Sequence, residues 1–220
     1  MGAITRAAAN NFTTSGVILP GAINNTTVAS ITSLTQVAGK TQTLIQSQTA
    51  SSSSAVSFTT GIDSTYDIYK FEFINIHPAT DNVQLRHAAS TNGGSAYDLN
   101  PILTFLDAEN HEGSDGASLG YVTGHDNSNN SQTEAKITYN VGNDSDQSTS
   151  GEMWLFGLSD TTFTKQFMST MITSHNADYS KMSFTCGYYN TSSDIDAMQF
   201  TFSSGNIDSG KIKLYGIQGS

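Results

Sequence analysis

Thr65-Tyr66-Asp67-Ile68-Tyr69-Lys70-Phe71-Glu72-Phe73-Ile74-Asn75-Ile76 is the stretch that decides the fold. Its aromatic residues Tyr69, Phe71 and Phe73 recur at every second position, with charged residues between them. Because successive side chains of a strand point to opposite faces, this spacing predicts a β-strand with one buried face. The strand is expected to end at His77-Pro78-Ala79-Thr80-Asp81-Asn82, which has the composition of a turn.

The same two-residue period recurs along the chain from Val56 onward. Met153-Trp154-Leu155-Phe156 is apolar at every position, which is typical of a central strand. Further alternating sets are Val83, Leu85, His87 and Ala89; Met182, Phe184, Cys186 and Tyr188; Met198, Phe200 and Phe202; and Ile212 and Leu214. We therefore expect an all-β fold, an antiparallel β-sandwich of jelly-roll-like form, over residues 46–220.

Residues 1–45 differ from the rest of the chain in charge. Arg6 and Lys40 are the only charged side chains before Asp63, and apolar residues recur at every third position at Val28, Ile31, Leu34 and Val37. A segment of this kind cannot bury enough apolar surface to fold alone. We expect an extended N-terminal arm that attaches the protein to neighbouring subunits, with a disordered tail as the alternative.

The charge balance and the length of the apolar runs each disfavour one class of partner. Only 13% of the residues are charged, against roughly 25% in a typical soluble protein, and the formal net charge is −10. Nucleic-acid binding needs clustered Lys and Arg, so we expect no nucleic-acid partner. Apolar runs also fall short of the ~18 residues that span a bilayer, so we expect no membrane insertion.

Gly205 and Gly210-Lys211 have the spacing of a phosphate-binding loop. That loop requires Ser or Thr after its Lys and a helix after it, whereas Ile212 follows here and the alternation continues as a strand. The two glycines therefore predict a hairpin between Met198–Phe202 and Ile212–Ile217. No cofactor is expected.

Residues that could carry catalysis or bind a metal show no matching pattern. Cys186 alternates with polar residues and is expected to be a core-facing thiol. None of the five histidines has the i, i+4 spacing of a zinc enzyme; they are His77, His87, His111, His125 and His175. Gly-x-Ser-x-Gly does not occur, so no catalytic residue is assigned and no enzyme is expected.

Acidic segments leave two further possibilities open. Asp107–Glu112 and Asn143–Asp146 are expected to lie in solvated loops around Asp107 and Asp144, with a loop calcium site as the alternative. Pairs such as Tyr97 with Asp98, and Tyr121 with His125 and Asp126, combine an aromatic ring with acidic residues. They are expected to be packing residues, with sugar binding as the alternative.

Four segments resemble a family of virion proteins from tailed phages that infect marine cyanobacteria and similar hosts. They are Ser47–Ser54, Phe58–Tyr66, Tyr69–Asp81 and the strand-turn-strand of Phe202–Ile217, so the resemblance covers about residues 45 to 217. Proteins of this family are described as structural or tail-fibre-like. The resemblance implies a β-sandwich body, an N-terminal attachment segment and a location in the virion, and it supplies no catalytic residues.

The expected function is therefore that of a non-enzymatic subunit of a tail fibre or tail appendage, with capsid decoration as the alternative and a carbohydrate-active enzyme as a minor one. The expected partners are further copies of the chain in a homotrimer, other virion proteins contacted through residues 1–45, and a host-surface glycan contacted by the sandwich.

Overall fold

Thirteen strands and one short helix account for the secondary structure of residues 42–113, 116–128 and 132–217, which are the residues described by this computed structural model. The strands are β1 (Gln42–Ser53), β2 (Val56–Phe58), β3 (Ile68–Pro78), β4 (Leu85–Ser90), β5 (Pro101–His111), β6 (Ala117–Tyr121), β7 (Asn127–Ser128), β8 (Ala135–Lys136), β9 (Thr149–Phe156), β10 (Lys165–His175), β11 (Tyr179–Tyr189), β12 (Ala197–Phe202) and β13 (Ile207–Ile217); a 3₁₀-helix occupies Thr123–His125. The predicted all-β class is confirmed.

Two antiparallel sheets pack as a sandwich. The larger sheet has nine strands in the order β1-β13-β3-β9-β10-β11-β5-β6, and β7 also pairs with β5. The smaller sheet has four strands in the order β2-β12-β4-β8. Strand β9 lies between β3 and β10, so the central position predicted from Met153-Trp154-Leu155-Phe156 is confirmed.

The expected N-terminal arm lies almost entirely outside the described residues. Strand β1 begins at Gln42 and pairs with β13 from Gln42 opposite Ile217 onward. Residues 42–45, which the sequence analysis assigned to the arm, thus form the start of an edge strand. The arm itself stays a prediction for residues 1–41.

Aromatic side chains from both sheets meet in the core. The rings of Phe58, Phe71 and Phe73 surround Phe200 with centroids 4.9 to 6.2 Å away in edge-to-face arrangements. Tyr69 is also fully buried, so the face predicted for β3 is the inner one. These rings bury large apolar areas, and their edge-to-face geometry adds to the stabilisation from burial.

The hairpin predicted around Gly205 and Gly210 is wrong. Strand β12 belongs to the small sheet and β13 belongs to the large one, where it pairs with β1 and β3. Residues 203–206 therefore carry the chain from one sheet to the other. Gly210 lies within β13 with φ +122°, and a Cβ there would lie 2.6 Å from the carbonyl oxygen of Asn75, so the close approach of the two strands requires glycine.

The core-facing position predicted for Cys186 is also wrong. Met182, Phe184, Cys186 and Tyr188 do share one face of β11, but it is the outer face of the large sheet. Their neighbours Ser183 and Thr185 are fully buried on the inner face. The period of a strand tells which residues share a face, and only the packing partners tell which face is buried.

Candidate functional site

A buried ion-pair cluster lies on the inner face of the large sheet, where β5 and β11 run side by side. The ammonium group of Lys181 lies 2.9 Å from Asp107 Oδ2 and 2.7 Å from Glu109 Oε2, and the Lys181 side chain is only 5% exposed. The same ammonium lies 3.6 Å from the centre of the Tyr139 ring. Asp107 and Glu109 are therefore strand residues that hold a buried lysine, and the solvated loop expected around Asp107 is wrong for this part of the segment.

Lys181 and Glu109 keep their charged forms near neutral pH. Burial opposes the charged form of Lys181, but its hydrogen bonds with Glu109 and Asp107 outweigh that effect and raise its pKa. The hydrogen bond from Lys181 also lowers the pKa of Glu109. A lysine held charged between two carboxylates is a poor proton donor or acceptor, so the cluster fits a structural ion pair better than acid–base catalysis.

Three of the five histidines join two tyrosines in a chain of rings beside the cluster. His111 stacks on Tyr179 at 3.6 Å, Tyr179 lies 4.9 Å from His175, and His175 lies 5.7 Å from Tyr139. His125 lies 4.8 Å from Tyr139 as well. Burial lowers the pKa of His125 to about 4 and also lowers the pKa of His175, so both rings are neutral at pH 7.

An acidic cleft of about 330 Å³ opens next to this ring chain. Its carboxylates come from Glu112, Asp146 and Asp178, so the fold brings together the two acidic segments that the sequence singled out separately. The side chain of Gln147 holds one wall in place by donating to the His175 carbonyl and to Asp178 Oδ1, each at 3.3 Å. Carboxylates beside an aromatic ring can bind a cation or the hydroxyl groups of a sugar.

A metal centre finds no support in this cleft. Among the residues that the structure describes, no three His, Cys, Asp or Glu side chains are grouped so that they could hold a metal ion. The Asp144 loop is closed by a hydrogen bond that the backbone amide of Asp144 donates to Gln147 Oε1 at 3.2 Å. The calcium site considered for the Asp144 loop stays a prediction.

Of the remaining residues considered from the sequence, His77 borders the cleft, since its Nδ1 lies 2.7 Å from the carbonyl of Gln147 in the cleft wall. The others lie apart from the cleft. His87 is buried in the core, where its Nδ1 lies 2.8 Å from the hydroxyl of Tyr189. Tyr121 donates a hydrogen bond to Asp126 at the edge of the large sheet. Tyr97 lies against Gly94 in the segment between β4 and β5. Sequence reasoning thus picked these groups out singly, and the fold does not gather them into one site.

The outer face of the large sheet is the feature that sequence reasoning missed. Thirteen apolar or aromatic side chains there, which we call the outer patch, point away from the small sheet; on β5, β9, β10 and β11 they alternate with inward residues that are mostly buried. They are Leu119 and Tyr121 on β6; Ile102, Leu106 and Ala108 on β5; Met182, Phe184, Cys186 and Tyr188 on β11; Met168 and Ile172 on β10; and Trp154 and Phe156 on β9.

The inner face of the same strands mixes apolar and polar side chains. The residues buried there include Phe105, Met153, Phe167 and Met171 as well as Ser169, Thr173, Ser183 and Thr185. Some of the hydroxyl groups bond across the strands; Ser169 Oγ lies 2.6 Å from Thr185 Oγ1, for example. Because apolar–polar alternation looks the same for either orientation, the sequence showed that β11 has an apolar face and a polar face but did not tell which of them is buried.

Membrane spanning by a helix finds no support in the described ranges, where no helix is long and apolar enough to cross a bilayer. Comparison of the chain with protein-family models, with curated proteins and with solved structures found no match. Function must therefore be inferred from the surfaces and clefts described above.

Proposed function

We propose that this chain is a non-enzymatic structural subunit of a tailed-phage virion, in a tail fibre or tail appendage. The observation that carries the proposal is the outer patch, since the largest exposed apolar patch of a protein often marks a surface that contacts other molecules. Leu119 is 80% exposed, Ile172 61% and Tyr121 55%. Such a surface suits a protein that works packed against other subunits.

Two features of the sequence support the same proposal. Arg6 and Lys40 are the only charged residues among the first 45, which suits a segment that inserts between protein subunits. The segments between Ser47 and Ile217 resemble virion proteins of tailed phages. In this proposal residues 1–45 attach the subunit to the particle, and the sandwich extends outward toward the host surface and its glycans.

Capsid decoration is the alternative within the same class. A subunit of that kind would use the same sandwich and would attach its first 45 residues to capsid proteins. Imaging of phage particles that carry a gold label at Ser220 separates the two locations. Label on the tail supports the proposal, and label spread over the shell supports decoration.

A deletion tests the attachment role of the leading segment. Removal of residues 2–40 leaves β1 and the rest of the described sandwich in place, since β1 begins at Gln42. We expect a protein with an unchanged β circular-dichroism spectrum that is no longer incorporated into particles. Normal incorporation of this variant would contradict the attachment role.

The acidic cleft favours one second candidate, which is binding or cleavage of a carbohydrate. Glu112, Asp146 and Asp178 line the cleft together with the ring of Tyr179. Release of reducing sugar from host-surface polysaccharide, lost in Glu112→Gln and Asp146→Asn, would support a carbohydrate-active enzyme. Under the structural proposal, no reducing sugar is released by the wild-type protein or by either variant.

A further inference from the structure

The outer patch and the uncharged residues around it form a face large enough for an interface between copies. The patch spans five neighbouring strands and three to seven residues along each, which at ~3.3 Å per residue and ~4.8 Å per strand gives a footprint of roughly 400 Å². The uncharged outward residues along the 11-residue strands β5, β10 and β11 extend this face to about 600 Å², toward the ~800 Å² that each partner buries in a stable complex.

Charge is absent from the middle of this surface. Every outward position of β5, β10 and β11 is uncharged, although the whole chain has a formal net charge of −10. Two copies of so acidic a protein repel each other over most of their surfaces. The outer patch is a face on which two copies can approach without bringing carboxylates together.

The patch has a ridge at one end and a hollow at the other. Ile172 and Met182 face each other on β10 and β11 and project strongly, with exposed fractions of 61% and 45%. A hollow of about 580 Å³ lies further along the same two strands and reaches β5 and β9. Its walls include Ile102, Phe156, Met168, Cys186 and Tyr188, around Gly187.

The ridge and the hollow are placed so that the ridge of one copy can fill the hollow of a second copy. Met168 faces Cys186 at the hollow, and Thr170 faces Phe184 midway between hollow and ridge. Ile172 is four residues from Met168, or about 13 Å along β10. A two-fold axis that crosses the strands at Thr170 and Phe184 therefore seats the ridge of each copy in the hollow of its partner, as a self-complementary interface requires.

We infer that the outer patch binds a second copy of this chain, face to face, with Ile172 and Met182 of each copy in the hollow around Gly187 of the other. The two large sheets then pack as aligned sheets do, about 10 Å apart. This pairing closes after two copies and differs from the homotrimer expected from the sequence. It does not depend on the proposed virion role.

Mass measurement of the full-length protein across a range of concentrations tests the pair. One chain has a mass of 23.4 kDa. We expect twice this mass at high concentration and the mass of one chain on dilution. Three times the mass of one chain would support the expected trimer and overturn the pair. The mass of one chain at every concentration up to the millimolar range would also overturn it.

Substitutions on the ridge test the geometry. Ile172→Asp and Met182→Asp place a carboxylate in each of the two symmetry-related hollows, so each variant is expected to weaken pairing at least a hundredfold. Thr49→Asp is the matched control, because Thr49 is exposed on β1 of the same sheet, opposite Lys211 and outside the outer patch. Equal weakening by Thr49→Asp, or none by Ile172→Asp, would overturn the assignment.

Cys186 provides a reporter inside the hollow, since it is the only cysteine of the chain and is half-buried. Its reaction with a thiol reagent should be slow at concentrations where the pair forms and at least tenfold faster on dilution. In Ile172→Asp the fast rate should hold at all concentrations. A slow rate in a protein that has the mass of one copy would mean that something else covers the hollow, and would overturn the pair.

Discussion

The two halves of the large sheet differ in where they place polar and charged groups. In the half formed by β13, β3 and β9, the inner face carries Tyr69, Phe71 and Phe73, and the outer face carries the ion pairs of Lys70 with Glu72 and Glu152 at 3.1 and 2.9 Å. In the half formed by β10, β11 and β5, hydroxyl groups and the ion pairs of Lys181 are buried on the inner face beside Phe105, Phe167 and Met171, and the outward positions are uncharged.

The difference follows from what covers each half on the inside. Phe58 and Phe200 of the small sheet pack against the first half and supply the apolar partners that its aromatic residues need. In the second half, His87 of the small sheet packs on Phe167 at 4.8 Å, whereas the part of β11 around Ser183 is covered by the segment around Tyr139, whose amide donates to Ser183 Oγ at 3.2 Å. An irregular segment brings backbone groups that need hydrogen-bond partners, so the strands beneath it present polar side chains.

The largest expected effect tests how much the aromatic core, where the small sheet packs on the first half, contributes to the free energy of unfolding. Phe200→Ala removes the ring at the centre of the aromatic core, where Phe71 and Phe73 lie at 4.9 and 5.0 Å. We expect it to lower the free energy of unfolding by about 3 to 5 kcal/mol, because it leaves a cavity as well as losing buried apolar area. Urea unfolding followed by tryptophan fluorescence measures the change; a loss below about 1 kcal/mol would mean that the small sheet contributes little.

The next effect tests whether the second half depends on its buried charges. Lys181→Met leaves Asp107 and Glu109 without their cation, which should cost about 3 kcal/mol at pH 7. Glu109 then loses the hydrogen bond that lowers its pKa and takes up a proton more readily, so the deficit should shrink as the pH is lowered toward 4. Urea unfolding at pH 7 and at lower pH measures the deficit.

The control for this change removes all three charges. The triple variant Lys181→Met, Asp107→Asn, Glu109→Gln should recover most of the stability lost in the single variant at pH 7, because no unpaired charge is left in the cluster. If the triple variant is less stable than Lys181→Met, the ion pairs contribute through something other than charge.

A third prediction concerns how the stability of the core depends on acid pH, through the buried ring of His87. Burial lowers the pKa of His87 to about 3, whereas an unfolded chain would bind the proton near pH 6.5. The unfolded state therefore holds one more proton between these values, and stability should fall as the pH drops through that window by about 1.4 kcal/mol per pH unit.

Replacement of the ring isolates the contribution of His87. His87→Leu should be less stable at pH 7, since Tyr189 loses a partner at 2.8 Å. Between pH 6.5 and 4, however, the slope of its free energy of unfolding against pH should correspond to one bound proton fewer than in the wild-type protein. Urea unfolding at a series of pH values measures this slope. An NMR titration in which the His87 ring protonates near pH 6.5 would contradict the burial argument.

The sequence predicted the strands well because their alternation is a local property. Tyr69, Phe71 and Phe73, and likewise Met198, Phe200 and Phe202, share the faces that their spacing required. Which face of β11 is buried was not predictable, since Met182, Phe184 and Cys186 are residue types that occur in protein cores as readily as Phe200 does. The face is decided by partners distant in sequence, such as the segment around Tyr139 that covers Ser183 and not Phe184.

The candidate sites were less predictable for the same reason. Glu112, Asp146 and Asp178 meet in one cleft only because β5, β9, β10 and β11 are neighbours in the sheet, and no local pattern encodes that order. The turn between β12 and β13 was misassigned because Gly205 and Gly210 are equally compatible with a hairpin and with a crossing between sheets. Local turn chemistry gives the position of a turn but not the sheet that the next strand joins.

The smallest expected effect compares a phenylalanine on the outer face of the large sheet with one in the core between the two sheets. Phe184 lies on the outer face of β11, half-buried, whereas Phe200 is fully buried. In the background of Ile172→Asp, which keeps copies apart, Phe184→Thr should change the free energy of unfolding by less than about 1 kcal/mol. Without that background, the same substitution should weaken pairing at the centre of the interface. A loss of stability as large as that of Phe200→Ala in separated copies would mean that Phe184 is a core residue and that the outer patch is covered within one chain.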